Sequence, residues 1–141
     1  MEIRSLTLVA TEADLNELAP KIFSWPDAIR DLRISIIPEG IRASGTYQQL
    51  FGIRFQTLWW VSVSEGRVVA RLEELKAGPL SLGFVKGYLL DAIAAATTVL
   101  ELRDDTLSFD VNALLQDMGW PVRANLTSIR CAYGSLTVES S

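Results

Sequence analysis

The residue types that could do chemistry in this 141-residue chain fall into four groups: the carboxylate pairs Glu73-Glu74 and Asp104-Asp105, the single thiol Cys131, the glycines Gly78, Gly83 and Gly87, and the adjacent aromatics Trp59-Trp60. Paired carboxylates suit general acid and base roles when they share a cleft. Here neighbours in a strand point to opposite faces, and neighbours in a turn are solvated, so both pairs read as surface. Cys131 has only Arg130 nearby to lower its pKa and no histidine to activate it, so it reads as a small strand residue. The three glycines lack the spacing and the preceding strand of a phosphate-binding loop. With zero histidines, the commonest metal ligand and the usual neutral-pH base are missing. No catalytic residue, metal site or cofactor is expected. An enzyme would have to rely on a carboxylate such as Asp91 or Asp110 held in a cleft.

Composition bounds the rest. At 49% hydrophobic and 21% charged, a chain of this length forms one domain whose core removes roughly 70% of the unfolded surface from water. One cysteine rules out an internal disulfide, so packing must hold the fold. The net charge of −4 opposes the phosphate backbone of nucleic acid and the anionic face of a bilayer. The segment 79–100 is the most membrane-like, but Lys86 and Asp91 would lie near the bilayer centre, and it reads as a buried helix. The first residues lack the basic head and long apolar run of a secretory signal. The expected location is therefore cytoplasmic, or the cell envelope if a leader has been removed.

The elements that must position these groups follow from periodicity. Residues 5 to 9 read as a strand. Thr11 and Asp14 then make a carboxylate variant of the capping box, ahead of an apolar stripe of Leu15, Leu18 and Ile22. Pro20 is expected to make that helix falter. Leu32 to Ile36 alternates, Pro38-Glu39-Gly40 turns the chain, and Ile41 to Tyr47 returns. The stretch GIRFQTLWWVSV puts Ile53, Phe55, Trp59, Val61 and Val63 on one face. A tight hairpin at Glu65-Gly66 sets Val63 opposite Val68, Val61 opposite Ala70, Trp59 opposite Leu72, Trp60 opposite Arg71 and Leu58 opposite Glu73. After Gly78-Pro79, a helix with a broad apolar arc runs through Phe84, Tyr88, Leu89 and Ile93. Two short strands flank Asp104-Asp105, a short helix starts at Asp110, and a closing hairpin spans 122 to 139. The count is about eight strands and three helices. Asp14-Leu15-Asn16 is echoed at Asp110-Val111-Asn112, and Gly40 at Gly134, so a strand-helix-hairpin unit over 5–47 recurs over 106–139.

Trp59 belongs with the core face. Trp60 lies on the other face, in an apolar island with Leu58. Either it covers the Arg71 guanidinium in a cation-π contact, or with Leu58 and Arg71 it centres a self-association or ligand surface.

The capped helix Thr11-Glu12-x-Asp14-Leu15-Asn16-x-Leu18, the hairpins around Gly40 and Gly66, and the glycine-rich LKAGPLSLG before an apolar helix together resemble the small bacterial relatives of the tubular lipid-binding (TULIP) proteins. The resemblance covers nearly the whole chain in element order, with the Asp-Leu-Asn helix start as its residue-level motif. It implies an α+β fold in which a strongly curved antiparallel sheet wraps one long apolar helix, with two shorter helices. It also implies a groove for an acyl chain or similar apolar ligand, lined by Phe55, Trp59, Phe84, Tyr88, Leu89 and Ile93. Such relatives commonly carry a secretion or lipoprotein signal, and none is read here. The expected function is thus non-enzymatic binding of a lipid or other apolar small molecule, without nucleic acid or an integral membrane segment. The alternative is a homodimeric interaction module without a ligand.

Overall fold

The computed structural model describes residues 5–22, 29–48, 52–78, 82–96, 100–117, 119 and 125–140. Within them the order is β1 (Leu6–Thr11), α1 (Glu12–Ile22), β2 (Ile29–Ile37), β3 (Gly40–Tyr47), β4 (Ile53–Ser64), β5 (Arg67–Ala77), α2 (Leu82–Ala96), β6 (Leu100–Arg103), β7 (Thr106–Phe109), α3 (Val111–Asp117), β8 (Leu126–Ala132) and β9 (Ser135–Ser140). The fold is α+β, and all strand pairings are antiparallel.

The strands divide between a six-stranded sheet, β2-β3-β4-β5-β7-β6, and a three-stranded sheet, β1-β9-β8. The β4–β5 hairpin is the spine. Glu65 and Gly66 both take positive φ, 53° and 76°, the backbone of a two-residue turn that matches strand twist. The register that follows sets Val63 opposite Val68, Val61 opposite Ala70, Trp59 opposite Leu72 and Trp60 opposite Arg71. One pairing differs from expectation. A bulge after Leu58 sets it opposite Glu74, not Glu73, because the extra residue shifts every later pair by one.

Side-chain alternation gives the large sheet two unlike faces. On the inner face Ile53, Phe55, Thr57, Trp59 and Val61 are buried, and with Leu89, Leu90 and Ile93 of α2 the apolar ones form one packed cluster. Each large side chain there contributes roughly 1.5–3 kcal/mol by leaving water. Thr57, 2% exposed, is the polar exception. Its hydroxyl donates to the Ala43 carbonyl at 2.9 Å and accepts from Trp59 Nε1 at 2.8 Å, so a buried polar group and a buried indole N–H satisfy each other.

Helix α1 starts as its sequence dictates: Thr11 N–H donates to Asp14 Oδ2 at 2.9 Å and Asp14 N–H to Thr11 Oγ1 at 3.2 Å. It does not falter at Pro20 but runs to Ile22. Pro20 sits in the last turn, where its missing donor removes a single backbone bond. The helix also guards the free edge of β2. Asn16 donates to the Ile34 carbonyl at 2.9 Å and accepts from the Ile34 N–H at 2.8 Å, and Glu12 Oε2 accepts from the Ile36 N–H at 2.7 Å. Gly134, in the β8–β9 turn, donates to the Ile36 carbonyl at 2.9 Å, while its own carbonyl accepts from Glu12 N–H at 3.2 Å. The edge of β2 is therefore blunted by side chains and a turn, where an open edge would invite another strand.

The expected single sheet, strongly bent around a long apolar helix, is not what forms. Two sheets share the strands because the closing hairpin pairs with β1 and not with the large sheet. Helix α2 has 15 residues and buries Leu89, Leu90 and Ile93, while Ala94 and Ala95 stay exposed. Alanine is tolerated in either setting, so the packed stripe of α2 is narrower than its apolar composition. The strand-helix-hairpin order occurs twice, as β1-α1-β2-β3 and β7-α3-β8-β9, but the first hairpin belongs to the large sheet and the second to the small one.

Candidate binding surfaces

Of the six residues expected to line an acyl groove, four pack against one another in the core. Phe55, Trp59, Leu89 and Ile93 are members of the packed cluster between the large sheet and α2. Tyr88 is 45% exposed, and its carbonyl accepts a long 3.5 Å bond from the Tyr47 hydroxyl. Burial, with Tyr88 and Asp91 nearby, pushes the Tyr47 phenol above its usual value. The side chain of Phe84 lies outside the described residues.

The surface expected on the opposite face is partly assembled. Trp60 is 47% exposed and stands across from Arg71, with Leu58 half-buried on the same face. The Arg71 guanidinium is engaged by a carboxylate: its Nε donates to Glu73 Oε1 at 2.8 Å, and its Nη2 pairs with the same oxygen. Glu73 is thereby a partner for Arg71.

Beyond Trp60 the neighbouring strand β3 has already turned away, and β8 runs past β4 instead, with Ile129 and Cys131 against the core. The gap between them is a cleft of about 360 Å³, walled by Trp60, Val61, Ile129 and Cys131 and closed by Pro38, Gly40 and Arg130. Burial raises the Cys131 thiol above its usual pKa, which leaves it mostly protonated and a weak nucleophile at neutral pH. Arg130 donates from Nη2 to Glu139 Oε1 at 2.9 Å.

A second concavity, about 530 Å³, lies at the other end of the large sheet. Ser44, Thr46, Arg54, Gln56 and Lys76 line it, with Asp31 at its rim from a β2 bulge where φ is +54°. Sequence reading did not single out this site. The signal was present in the period-two placement of Thr46, Arg54 and Lys76 on successive strands, which alternation assigns to a single face once the strands are paired.

Of the other carboxylates, Asp105 pairs with Lys86 at 3.5 Å and Asp110 with Arg67 at 4.0 Å. Among the described residues no group of three or more His, Cys, Asp or Glu could hold a metal. No described helix is long and apolar enough to cross a membrane. No protein-family model matches the chain, and no curated protein or solved structure matches it either.

Proposed function

We propose that this chain is a non-enzymatic binding module that takes an apolar group, such as part of an acyl chain, in the cleft between β4 and β8. The carrying observation is Trp60. It is a large aromatic left 47% exposed at the mouth of a concavity whose walls are mostly apolar, the arrangement by which small-molecule sites exclude water. At about 360 Å³ the cleft falls near the lower end of ligand-site volumes, roughly 300–1,000 Å³. The packed sheet–helix interface beside α2 offers less room to the same ligand, since Leu89 and Ile93 already fill it.

Cys131 provides the test, as the chain's single cysteine and a wall of the cleft. A fluorescent fatty acid should bind, slow alkylation of Cys131 at saturation, and bind about 30-fold more weakly to Trp60→Ser, the loss of an aromatic anchor that the ligand would cover, roughly 2 kcal/mol. Absence of uptake, or uptake with unchanged Cys131 reactivity, refutes this site. Native mass spectrometry after organic extraction identifies any copurifying lipid.

A homodimer is favoured by a different observation. Strand β1 is an outer strand of the small sheet and carries Leu8 and Val9 at 49% and 57% exposure; an uncharged edge of this kind pairs readily with a second copy. Sedimentation over a dilution series, repeated with Val9→Lys and with Trp60→Ser, separates the cases. A dimer lost only in Val9→Lys places the contact on β1, whereas one lost in Trp60→Ser assigns Trp60 to an interface and removes the cleft argument.

A further inference from the structure

We propose that the outer face of the β2–β5 sheet docks on an anionic phospholipid bilayer. The two bulges and the strand register bring Arg30, Arg33, Arg42, Arg54, Arg71 and Lys76 onto one face. Arg30 pairs with Thr46, which pairs with Arg54; Arg33 pairs with Ser44, then Gln56, then Lys76. The acids among them are Glu74 on the face and Asp31 and Glu73 at the bulges. Arg67 shares this face of β5 but is offset by its partner Asp110; apart from that pair, these are six of the chain's 13 Lys and Arg and three of its 17 Asp and Glu, so a face of net +3 sits on a remainder of net −7. Five of the six are exposed and Arg42 is half-buried. Arg71 binds Glu73, and no ion pair holds the other five among the described residues.

That segregation answers the objection from net charge. A domain of this length has a radius of gyration of about 14 Å, whereas the Debye length at physiological salt is about 8 Å. A bilayer touching the cationic face is screened from much of the acidic remainder. Five of the six are arginines, whose planar fork is suited to bidentate contacts with phosphate oxygens. Same-face residues lie about 6.7 Å apart along a strand and about 4.8 Å apart across strands, so the cations form an array and not a track. A planar array fits a plane of headgroups. Single-stranded nucleic acid binds along a cationic groove with successive aromatics to stack its bases, and this face has one aromatic, Trp60, among its described residues. A single indole at the margin instead suits the membrane interface, where tryptophan sits at headgroup level.

This proposal stands apart from the cleft, because it needs the charges and not an enclosed ligand. Vesicles of phosphatidylcholine alone, and of phosphatidylcholine with 30 mol% phosphatidylserine, are sedimented with the full chain at 25 and 500 mM NaCl. Binding is expected only to the serine-containing vesicles, with release at the higher salt. At roughly fivefold in partition coefficient per cation near the surface, Arg33→Gln/Arg54→Gln/Lys76→Gln should bind about 100-fold more weakly. Arg42→Gln alone should lose about fivefold, and Lys21→Gln, on exposed α1, should bind like the unsubstituted chain. The single variant decides the matter if circular dichroism shows the triple one unfolded. Failure to bind anionic vesicles at 25 mM NaCl overturns the proposal, as does partitioning that Arg42→Gln leaves unchanged. Tighter binding of an oligothymidylate than of vesicles overturns it in favour of nucleic acid, and displacement by polyglutamate but not by vesicles in favour of an acidic protein.

Discussion

Replacing Gly40 with alanine tests how closely β3 seats against β4, and its echo Gly134 supplies the control. A Cβ on Gly40 would stand 2.0 Å from the Trp59 carbonyl oxygen and 2.9 Å from its carbon. Both are backbone atoms in the middle of a ladder, so no rotamer change relieves the clash. The φ of +143° adds strain for any side chain, about 1–3 kcal/mol for a sparsely populated backbone region. Relief requires β3 to part from β4 near the Ile41–Trp59 pair, losing one or two hydrogen bonds at about 1 kcal/mol each. The sum is about 2–5 kcal/mol, a large share of the roughly 5–15 kcal/mol that holds such a domain. Gly134 also has positive φ, +80°, but nothing lies within 4 Å of its would-be Cβ; only the conformational cost of about 1 kcal/mol remains. Urea unfolding followed by circular dichroism measures both, and the melting point of Gly40→Ala should fall by roughly 7–17 °C. The reasoning fails if Gly40→Ala lies within 1 kcal/mol of the parent, or if Gly134→Ala costs as much.

Thr57→Val keeps shape but leaves the Trp59 indole N–H and the Ala43 carbonyl without their partner; about 2 kcal/mol of stability should be lost, and an unchanged urea midpoint would falsify that bridge. Asn16→Ala removes both bonds to Ile34, which are exposed and replaceable by water, so the expected cost is about 1 kcal/mol. Its sharper sign is faster amide exchange at Ile34 than at Ile29, whose strand partner Tyr47 is untouched. The Asp14 carboxylate is held below its ordinary 3.8 by the Thr11 N–H and then the Thr11 hydroxyl. Its contribution is thus fully present above the unfolded value and is lost as pH falls through the lower folded one. Asp14→Asn should flatten the stability–pH profile below about pH 4; an unaltered acid limb would remove the cap from the account.

Where local rules act alone, the sequence is legible. Turn chemistry at Glu65-Gly66 and the alternation of β4 fix the hairpin register from Trp59 to Ser64, and Thr11 with Asp14 fixes the start of α1. The register fails at Glu73 because a bulge leaves no mark in polarity: Glu73 and Glu74 are equally at home on a solvated strand. The division into two sheets was not readable either, since it depends on β9 choosing β1, a pairing at long range in the chain. The acyl lining shows a related limit. Phe55, Trp59, Leu89 and Ile93 have the same types and spacing whether they face a cavity or each other, and only packing distinguishes the two. The cationic face stayed hidden because its members come from separate strands, each ordinary when read singly.

The smaller sheet has a kinetic consequence. Leu6 pairs with Ser140 and Thr11 with Ser135, so the first described strand has no partner until the last one has left the ribosome. At roughly 5–20 residues per second, β1 waits on the order of ten seconds, a nearly uncharged ribbon with nothing to hold it. Loop length itself penalises closure little, about 0.6 kcal/mol per doubling. The hazard is the interval, during which neighbouring nascent chains on one message compete for the same ribbon, and slower elongation would lengthen that exposure.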